Sequence, residues 1–265
     1  MQKIYHTLSI FGLMISAIML VALQIKPLGW LPLALGAFVT MALGEKQFRK
    51  DIILLYLSLT LLGIAPISTD LSTDHILKMG IPLLLAVIIP YLISKYLYKE
   101  NLIHFSFTPT EKKWQRKEIL YVLFTGTVIY LLLPILLRIT GSYHNWIVKF
   151  DFLFLAYFFI WINIVGAYDE IIFMGTFLKI LKNYFPFFVA NTTQSIIFTS
   201  FLYELGFRGW LVLTIFVFAF LQGRVFYKTG SLFYLITIHL TADLILFFAL
   251  IHAYYPQILP IFLIK

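Results

Sequence analysis

The sequence predicts an all-α polytopic membrane protein with about eight or nine transmembrane helices. Of its 265 residues, 61% are hydrophobic and only 12% are charged, whereas soluble domains carry roughly 25% charged residues. The apolar runs approach the roughly 20 residues that an α-helix needs to cross a bilayer, and they lack the alternation that is typical of a membrane barrel. Nearly the whole chain lies in such runs, so we expect no separate soluble domain.

The positions of the charged residues and the absence of cysteine exclude several classes of function. The formal net charge is +8, but the charges lie in short segments between the apolar runs, where the topology of a membrane protein places them beside lipid headgroups. We therefore expect the lipid bilayer, and no nucleic acid, as a partner. The absence of cysteine excludes disulfides, thiolate metal sites and a cysteine nucleophile.

Nine apolar segments are predicted as helices, and the second and eighth are short enough to be tilted or partial spans. The first, which begins at Ile4, has no small-residue cleavage site, so we interpret it as a span rather than a signal peptide. The segments cover approximately residues 5–24, 28–43, 51–67, 77–97, 118–137, 151–172, 186–204, 207–223 and 230–254.

The loops between nine spans alternate between two sides, and one side holds 14 of the 20 basic residues. The positive-inside rule places that side in the cytoplasm, so we expect a multi-pass protein of the cell membrane with a cytoplasmic N-terminus. The 14 residues are Lys3, Lys46, Arg49, Lys50, Lys95, Lys99, Lys112, Lys113, Arg116, Lys117, Lys179, Lys182, Arg224 and Lys228.

The distribution of polar residues divides the chain into three parts of one integrated membrane domain. Residues 1–98 form a transmembrane scaffold that has almost no ionisable residues deep in its spans. Residues 99–117 form a basic cytoplasmic loop, in which Pro109-Thr110-Glu111 can start a short amphipathic helix along the membrane surface. Residues 118–265 form a transmembrane core that carries the polar residues of interest.

The core places ionisable side chains within apolar helices. The ninth segment has His239 and Asp243 four residues apart, so both lie on one face of a helix. The sixth segment has Asp169 and Glu170, and the seventh has the polar run 191–195. Counted from the ends of their segments, the three clusters reach similar depths on the same side, so we expect them to face one another around a cavity that opens toward the cytoplasmic leaflet.

This set of residues is compatible with several kinds of chemistry. A carboxylate and a histidine beside a water molecule can carry out hydrolysis by general-base catalysis. The same groups can relay protons in a transporter, or they can satisfy one another as buried polar packing. With a single histidine and no His-Glu-x-x-His spacing, they are a weak signal for zinc, and we predict no metal and no cofactor.

The order of the motifs resembles that of the CAAX-protease and bacteriocin-processing (CPBP, Abi-like) family of intramembrane endopeptidases. Members carry Glu-Glu-x-x-x-Arg, then Phe-x-x-x-His, then a Thr-Gly-Ser turn followed by His-x-x-x-Asn/Asp. Here Asp169-Glu170-Ile-Ile-Phe-Met174 stands at the first motif and Phe198-Thr-Ser-Phe-Leu202 at the second. Thr229-Gly-Ser followed by His239-Leu-Thr-Ala-Asp243 stands at the third. The resemblance covers residues 118–265.

The first two motifs depart from the family pattern. Asp169 replaces a glutamate, Met174 replaces the arginine, and Leu202 replaces the second-motif histidine. The family uses the first carboxylate and the missing histidine to activate water. A displacement of a catalytic group by about 1 Å can lower a rate about 100-fold. We therefore expect peptidase activity to be impaired.

The resemblance implies an intramembrane peptidase of a bacterial inner membrane with Asp169, Glu170, His239 and Asp243 as its catalytic residues. Asp169 or Glu170 would activate water, while His239 and Asp243 would bind the substrate carbonyl oxygen. The expected partner is a peptide or a transmembrane segment of a membrane protein. The alternative is a catalytically inactive member that holds such a segment as a scaffold or binding partner without cutting it.

A second alignment of the first motif places Glu204 and Arg208 at its acidic and basic positions and His252 at the second motif. No third motif follows, so we favour the first alignment. With the first alignment, Glu204 and Arg208 are not motif residues, and they are predicted to form a salt bridge in the turn between segments seven and eight. His252 is predicted to lie at the membrane interface beside Tyr254 and Tyr255.

Overall fold

The computed structural model describes residues 2–103, 105 and 114–263, and these form nine long helices that we label α1 to α9. Three of them contain a π-helical stretch: Ala17–Ala22 ends α1, Ile93–Leu97 ends α4, and Glu170–Leu178 lies within α6. The helices are α1 (Gln2–Ser16 with Ala17–Ala22), α2 (Lys26–Leu43), α3 (Lys46–Ile64), α4 (Thr73–Leu92 with Ile93–Leu97), α5 (Arg116–Thr140), α6 (Phe152–Asp169, Glu170–Leu178 and Lys179–Leu181), α7 (Phe187–Glu204), α8 (Leu211–Thr229) and α9 (Leu232–Tyr254).

The all-α membrane fold is confirmed. Among the described residues, seven helices are long and apolar enough to cross a membrane, and they include α2 and α8, which correspond to the two short predicted segments. The two that are not included are α3, which begins with four charged residues in its first six positions, and α7, which carries a polar run at 191–195. Many residues of both helices are buried, because the apolar helices enclose them.

Contacts between loops confirm that successive helices run in opposite directions. We call the end that holds residues 44–45, 182–186 and 230–231 the basic end, and there Tyr184 donates a hydrogen bond to Asp51 at 2.5 Å. At the opposite end, Asn145 donates to the Gly206 carbonyl at 2.7 Å and Thr69 donates to the Asn145 carbonyl at 2.8 Å. Which end faces the cytoplasm remains a prediction.

Local sequence signals account for several helix ends. Asp151 precedes α6 and accepts a hydrogen bond from the Phe154 amide at 2.9 Å, and Ser231 precedes α9 and accepts one from the Tyr234 amide at 3.2 Å. Both are N-caps, which satisfy amides that have no partner inside the helix. Gly230 ends α8 in the left-handed conformation, so the Thr-Gly-Ser turn closes one helix and starts the next.

The three-part division of the chain stays a prediction. Buried apolar residues from both the scaffold and the core form one continuous hydrophobic cluster. Residues 104 and 106–113 of the basic loop, which include Pro109-Thr110-Glu111, lie outside the described residues. The Glu204–Arg208 salt bridge is present, with 2.8 Å between Oε2 and Nη2. The position of His252 at the membrane interface stays a prediction; its ring is buried beneath the C-terminal segment, and its Nδ1 lies 2.7 Å from the Leu259 carbonyl oxygen.

Candidate functional site

The four predicted site residues lie together in the middle of the core. His239 on α9 is the centre of the group, with Nδ1 at 2.8 Å from Glu170 Oε1 and Nε2 at 3.9 Å from Asp169 Oδ2 and 3.8 Å from Asp243 Oδ1. The carboxylates on α6 are fully buried, while His239 and Asp243 are 4% and 7% exposed. Helices far apart in sequence thus bring three carboxyl groups around one imidazole.

Glu170 holds the His239 ring through a shared oxygen. Its Oε1 accepts a hydrogen bond from His239 Nδ1 and a second, at 3.2 Å, from the Gln222 side-chain amide on α8. An imidazole that donates through Nδ1 to a carboxylate leaves Nε2 facing the remaining groups. In this position, Nε2 lies between Asp169 and Asp243.

Asp169 differs from Glu170 in its surroundings. Within the described part of the chain, neither Asp169 oxygen has a hydrogen-bond partner, and the same is true of Glu170 Oε2 and Asp243 Oδ2. Buried polar atoms without a protein partner commonly bind ordered water, because leaving them dry costs about 1–3 kcal/mol each. This cluster of free acceptors therefore marks a place where water or a polar substrate group is favoured.

The backbone of α6 changes at this point. A nine-residue π-helical stretch starts at Glu170, directly after Asp169, and contains the next family position, Met174. Such wide turns are frequent at functional sites, because the extra residue changes the direction of neighbouring side chains. The two consecutive carboxylates have different neighbours: Asp169 faces the cavity described below, and Glu170 faces Gln222 and His239.

The two replaced family positions have apolar surroundings. Leu202 on α7 is 6% exposed and lies in the wall of the cavity, so an apolar side chain stands where the family has a histidine. Met174 is fully buried. An arginine at Met174 would need buried partners for its charge, and burying it without them costs several kcal/mol.

The amides of the polar run form packing contacts between α7 and α8 and are not part of the cavity wall described below. Asn191 donates to the Phe220 carbonyl at 2.9 Å, and Gln194 donates to the Ala219 carbonyl at 3.3 Å. These two bonds join α7 to the backbone of α8. The amide that reaches the site is Gln222, which the sequence analysis missed. The feature of the sequence that could have indicated Gln222 is that it is a single amide side chain within an apolar helix.

A largely apolar cavity of about 680 Å³ lies beside the site. It forms because α5 packs along α9 while α8 packs along α7, which leaves a cleft between α5 and α8. Exposed side chains line it on both of these helices, so it faces the membrane laterally. The polar part of the wall includes Asp169, Gln222, His239 and Asp243, and apolar side chains that include Phe124, Leu132, Leu202, Leu213, Val217 and Leu221 form much of the rest.

The expected opening of the cavity toward the cytoplasmic leaflet stays a prediction, since the walls include Tyr121 and Phe124 near the basic end of α5. The walls also continue from the site to Ser68, Trp146 and Phe207, which lie at the opposite end of the bundle. At the basic end, Tyr234 donates to the Glu118 carbonyl at 2.8 Å and thereby ties α9 to α5. This contact joins two of the helices around the cavity on that side.

The close approach of α6 to α9 depends on Gly166. A Cβ atom at this position would overlap Asp243 Oδ2 and lie 3.0 Å from His239 Cδ2. We expect Gly166→Ala to displace Asp243 and to lower the free energy of unfolding by about 1–3 kcal/mol, the usual cost of overpacking. Chemical unfolding in detergent measures the change.

Gly80→Ala is the matched control for that substitution. Gly80 also lies within a helix, but a Cβ there would meet its nearest neighbour, Trp161 Cη2, at 3.9 Å. Since alanine is favoured over glycine in helices by about 0.5–1 kcal/mol, this variant should be neutral or slightly more stable. Equal stability of the two variants would contradict the close packing at Gly166.

The site's donor set does not have the form of a metal centre. Within residues 2–103, 105 and 114–263, there is no group of three or more His, Asp or Glu side chains that is arranged to hold a metal ion. The absence of a metal therefore stays a prediction of the sequence analysis.

Comparison with known families supports the resemblance that the motifs indicated. Residues 151–245 match the family model described as type II CAAX prenyl endopeptidase Rce1-like. No curated protein and no solved structure matches the chain. The matched segment runs from the start of α6 to the middle of α9 and contains Asp169, Glu170, Gln222, His239 and Asp243. The chain is therefore a multi-pass membrane protein, and its residues 151–245 are similar to the Rce1-like CAAX prenyl endopeptidase family, which is consistent with the resemblance of its motifs to the CPBP family.

Proposed function

We propose that this protein is an intramembrane endopeptidase in which Asp169 is the base that activates water. The observation that carries the proposal is the arrangement of Asp169 and His239 in one cavity wall, with two free carboxylate oxygens on Asp169 and 3.9 Å between Oδ2 and Nε2. A water molecule that bridges these atoms would be aligned with a proton acceptor. Glu170 is less suited to this role, because its Oε1 already accepts two hydrogen bonds.

The proposed reaction divides the work among Asp169, His239 and Asp243. Asp169 takes a proton from the water, whose oxygen attacks the peptide carbonyl carbon. The resulting oxyanion accepts hydrogen bonds from His239 Nε2 in its protonated form and from Asp243 in its protonated form. Asp169 then passes its proton to the leaving amine as the C–N bond breaks. Because the side chains are almost fully buried, the site admits single water molecules rather than bulk solvent.

The substrate reaches the site from the membrane. The cavity lies between α5 and α8 and is lined mainly by apolar side chains, so it suits an apolar chain or a segment of a membrane-bound peptide. The family description names CAAX prenyl endopeptidases, which makes a prenylated C-a-a-X peptide a suitable first probe. Peptides with one membrane-spanning segment are the second.

A specific observation favours a second candidate function. Leu202 gives the cavity an apolar surface where the family has its water-orienting histidine. A site that has lost this group can still hold a transmembrane segment of a partner protein without cutting it. In that case the protein is a membrane scaffold, and cleavage will be absent while binding persists.

The test compares wild type with His239→Ala in lipid nanodiscs, with both classes of peptide as probes. We expect wild type to produce a cleaved peptide that mass spectrometry detects, and His239→Ala to lower the rate by about 10²-fold or more, since positioned acid–base and oxyanion groups contribute factors of this size. The readout is the rate of appearance of the new peptide terminus.

Thr237→Ala is the control for this experiment. Thr237 lies two residues away on α9, and its hydroxyl group donates only to the Phe233 carbonyl of its own helix. This variant should cleave at the wild-type rate. If no product depends on His239 while the peptide still crosslinks to the cavity, the peptidase proposal fails and the scaffold function is favoured.

A further inference from the structure

Gln222 is a buried amide that the proposed reaction does not use directly. It is 2% exposed, lies in the cavity wall, and donates from Nε2 to Glu170 Oε1 at 3.2 Å. The same oxygen accepts the bond from His239 Nδ1 at 2.8 Å. The amide of α8, the carboxylate of α6 and the imidazole of α9 are thus joined at a single atom.

The backbone of α8 is fixed on both sides of Gln222. Asn191 and Gln194 on α7 donate to the carbonyls of Phe220 and Ala219. On the other side, Gly223 packs so closely against α7 that a Cβ atom there would overlap Asn191 Oδ1. Neither the rotation nor the translation of α8 at this point is free, so the direction of the Gln222 side chain is defined by the packing of α7 on α8.

From this arrangement we infer that Gln222 is a positioning residue, which orients the Glu170 carboxylate and through it the His239 ring. The inference rests on the proposed function and adds a residue to it. One hydrogen bond from His239 leaves the carboxylate free to rotate about its own axis, whereas a second donor on the same oxygen restricts it. His239 Nε2 is then held facing Asp169 and Asp243. A hydrogen bond to a charged group is strong enough to change a rate about ten- to hundredfold.

The test replaces Gln222 with methionine, which has a similar length but no donor. Nitrogen NMR of histidine-labelled protein in nanodiscs reports the Nδ1 and Nε2 environments of His239, and the signal is assigned by its loss in His239→Ala. We expect Gln222→Met to move the His239 Nδ1 signal, to lower kcat about ten- to hundredfold, and to leave KM within about twofold of wild type. For Gln222→Asn, which has a shorter amide side chain, the His239 Nδ1 signal and kcat should lie between those of wild type and Gln222→Met.

Tyr227→Phe is the matched control, because Tyr227 also lies on α8, but its side chain is exposed and is not part of the cavity wall. It should change neither the His239 signal nor kcat. If the His239 signal is the same in wild type, Gln222→Met and Gln222→Asn, the positioning role is overturned, whatever the activity. If the signal moves but wild type cleaves no peptide, the positioning contact stands and the proposed peptidase function fails.

Discussion

Asp169→Asn is expected to lower the rate of peptide cleavage by about 10²–10⁴-fold, the contribution that a positioned general base typically makes. Asparagine has nearly the same shape as aspartate but cannot accept a proton at neutral pH. The two Asp169 oxygens have no hydrogen-bond partner among the described residues, so the substitution breaks no hydrogen bond; it removes only the ionic contact of 3.9 Å with His239 Nε2. The loss should appear in kcat, with thermal stability close to that of wild type.

Asp169→Glu provides the comparison for this prediction. It keeps the carboxylate and restores the residue that the family has at this position, while moving the oxygens by about 1 Å. Its activity should exceed that of Asp169→Asn. If Asp169→Asn cleaves as fast as wild type, the base is another group, and the assignment of Asp169 and Glu170 to separate roles is wrong.

Gly206→Ala is expected to produce the largest loss of stability in the turn between α7 and α8, about 2–6 kcal/mol. Gly206 has a φ of +104°, which an L-residue adopts at a cost of about 1–3 kcal/mol. A Cβ there would also lie 2.5–2.9 Å from three atoms of the Trp146 ring. That ring is buried and forms part of the cavity wall, so overpacking adds about 1–3 kcal/mol. Chemical unfolding in detergent measures the loss.

Gly209→Ala separates the two causes. Gly209 lies in the same turn with a φ of +63°, but a Cβ there would have no neighbour within 4 Å. It should lose only the conformational part, about 1–2 kcal/mol. Gly206→Ala should also alter cleavage, because Trp146 must move, whereas Gly209→Ala should not. Equal losses for the two variants would contradict the packing of Trp146 against the turn.

Much of the architecture could be predicted from the sequence, because a bilayer restricts the structures that can cross it. Backbone polar groups must be satisfied inside each span, so long apolar runs become helices. The same constraint makes ionisable residues in a span conspicuous, which is why His239, Asp243, Asp169 and Glu170 could be chosen in advance. The predicted depths were sufficient to bring them together, since the spans alternate in direction.

The sequence by itself determined the helical membrane fold, the resemblance to the endopeptidase family and the choice of four candidate site residues. The tertiary structure decided which carboxylate faces the cavity, because adjacent side chains on a helix point in different directions and the packing of α8 and α9 against α6 determines what each one meets. It also decided that Gln222 belongs to the site and that the cavity lies between α5 and α8. These properties depend on how helices distant in sequence pack against one another, and the spacing of residues along a single helix does not specify that packing.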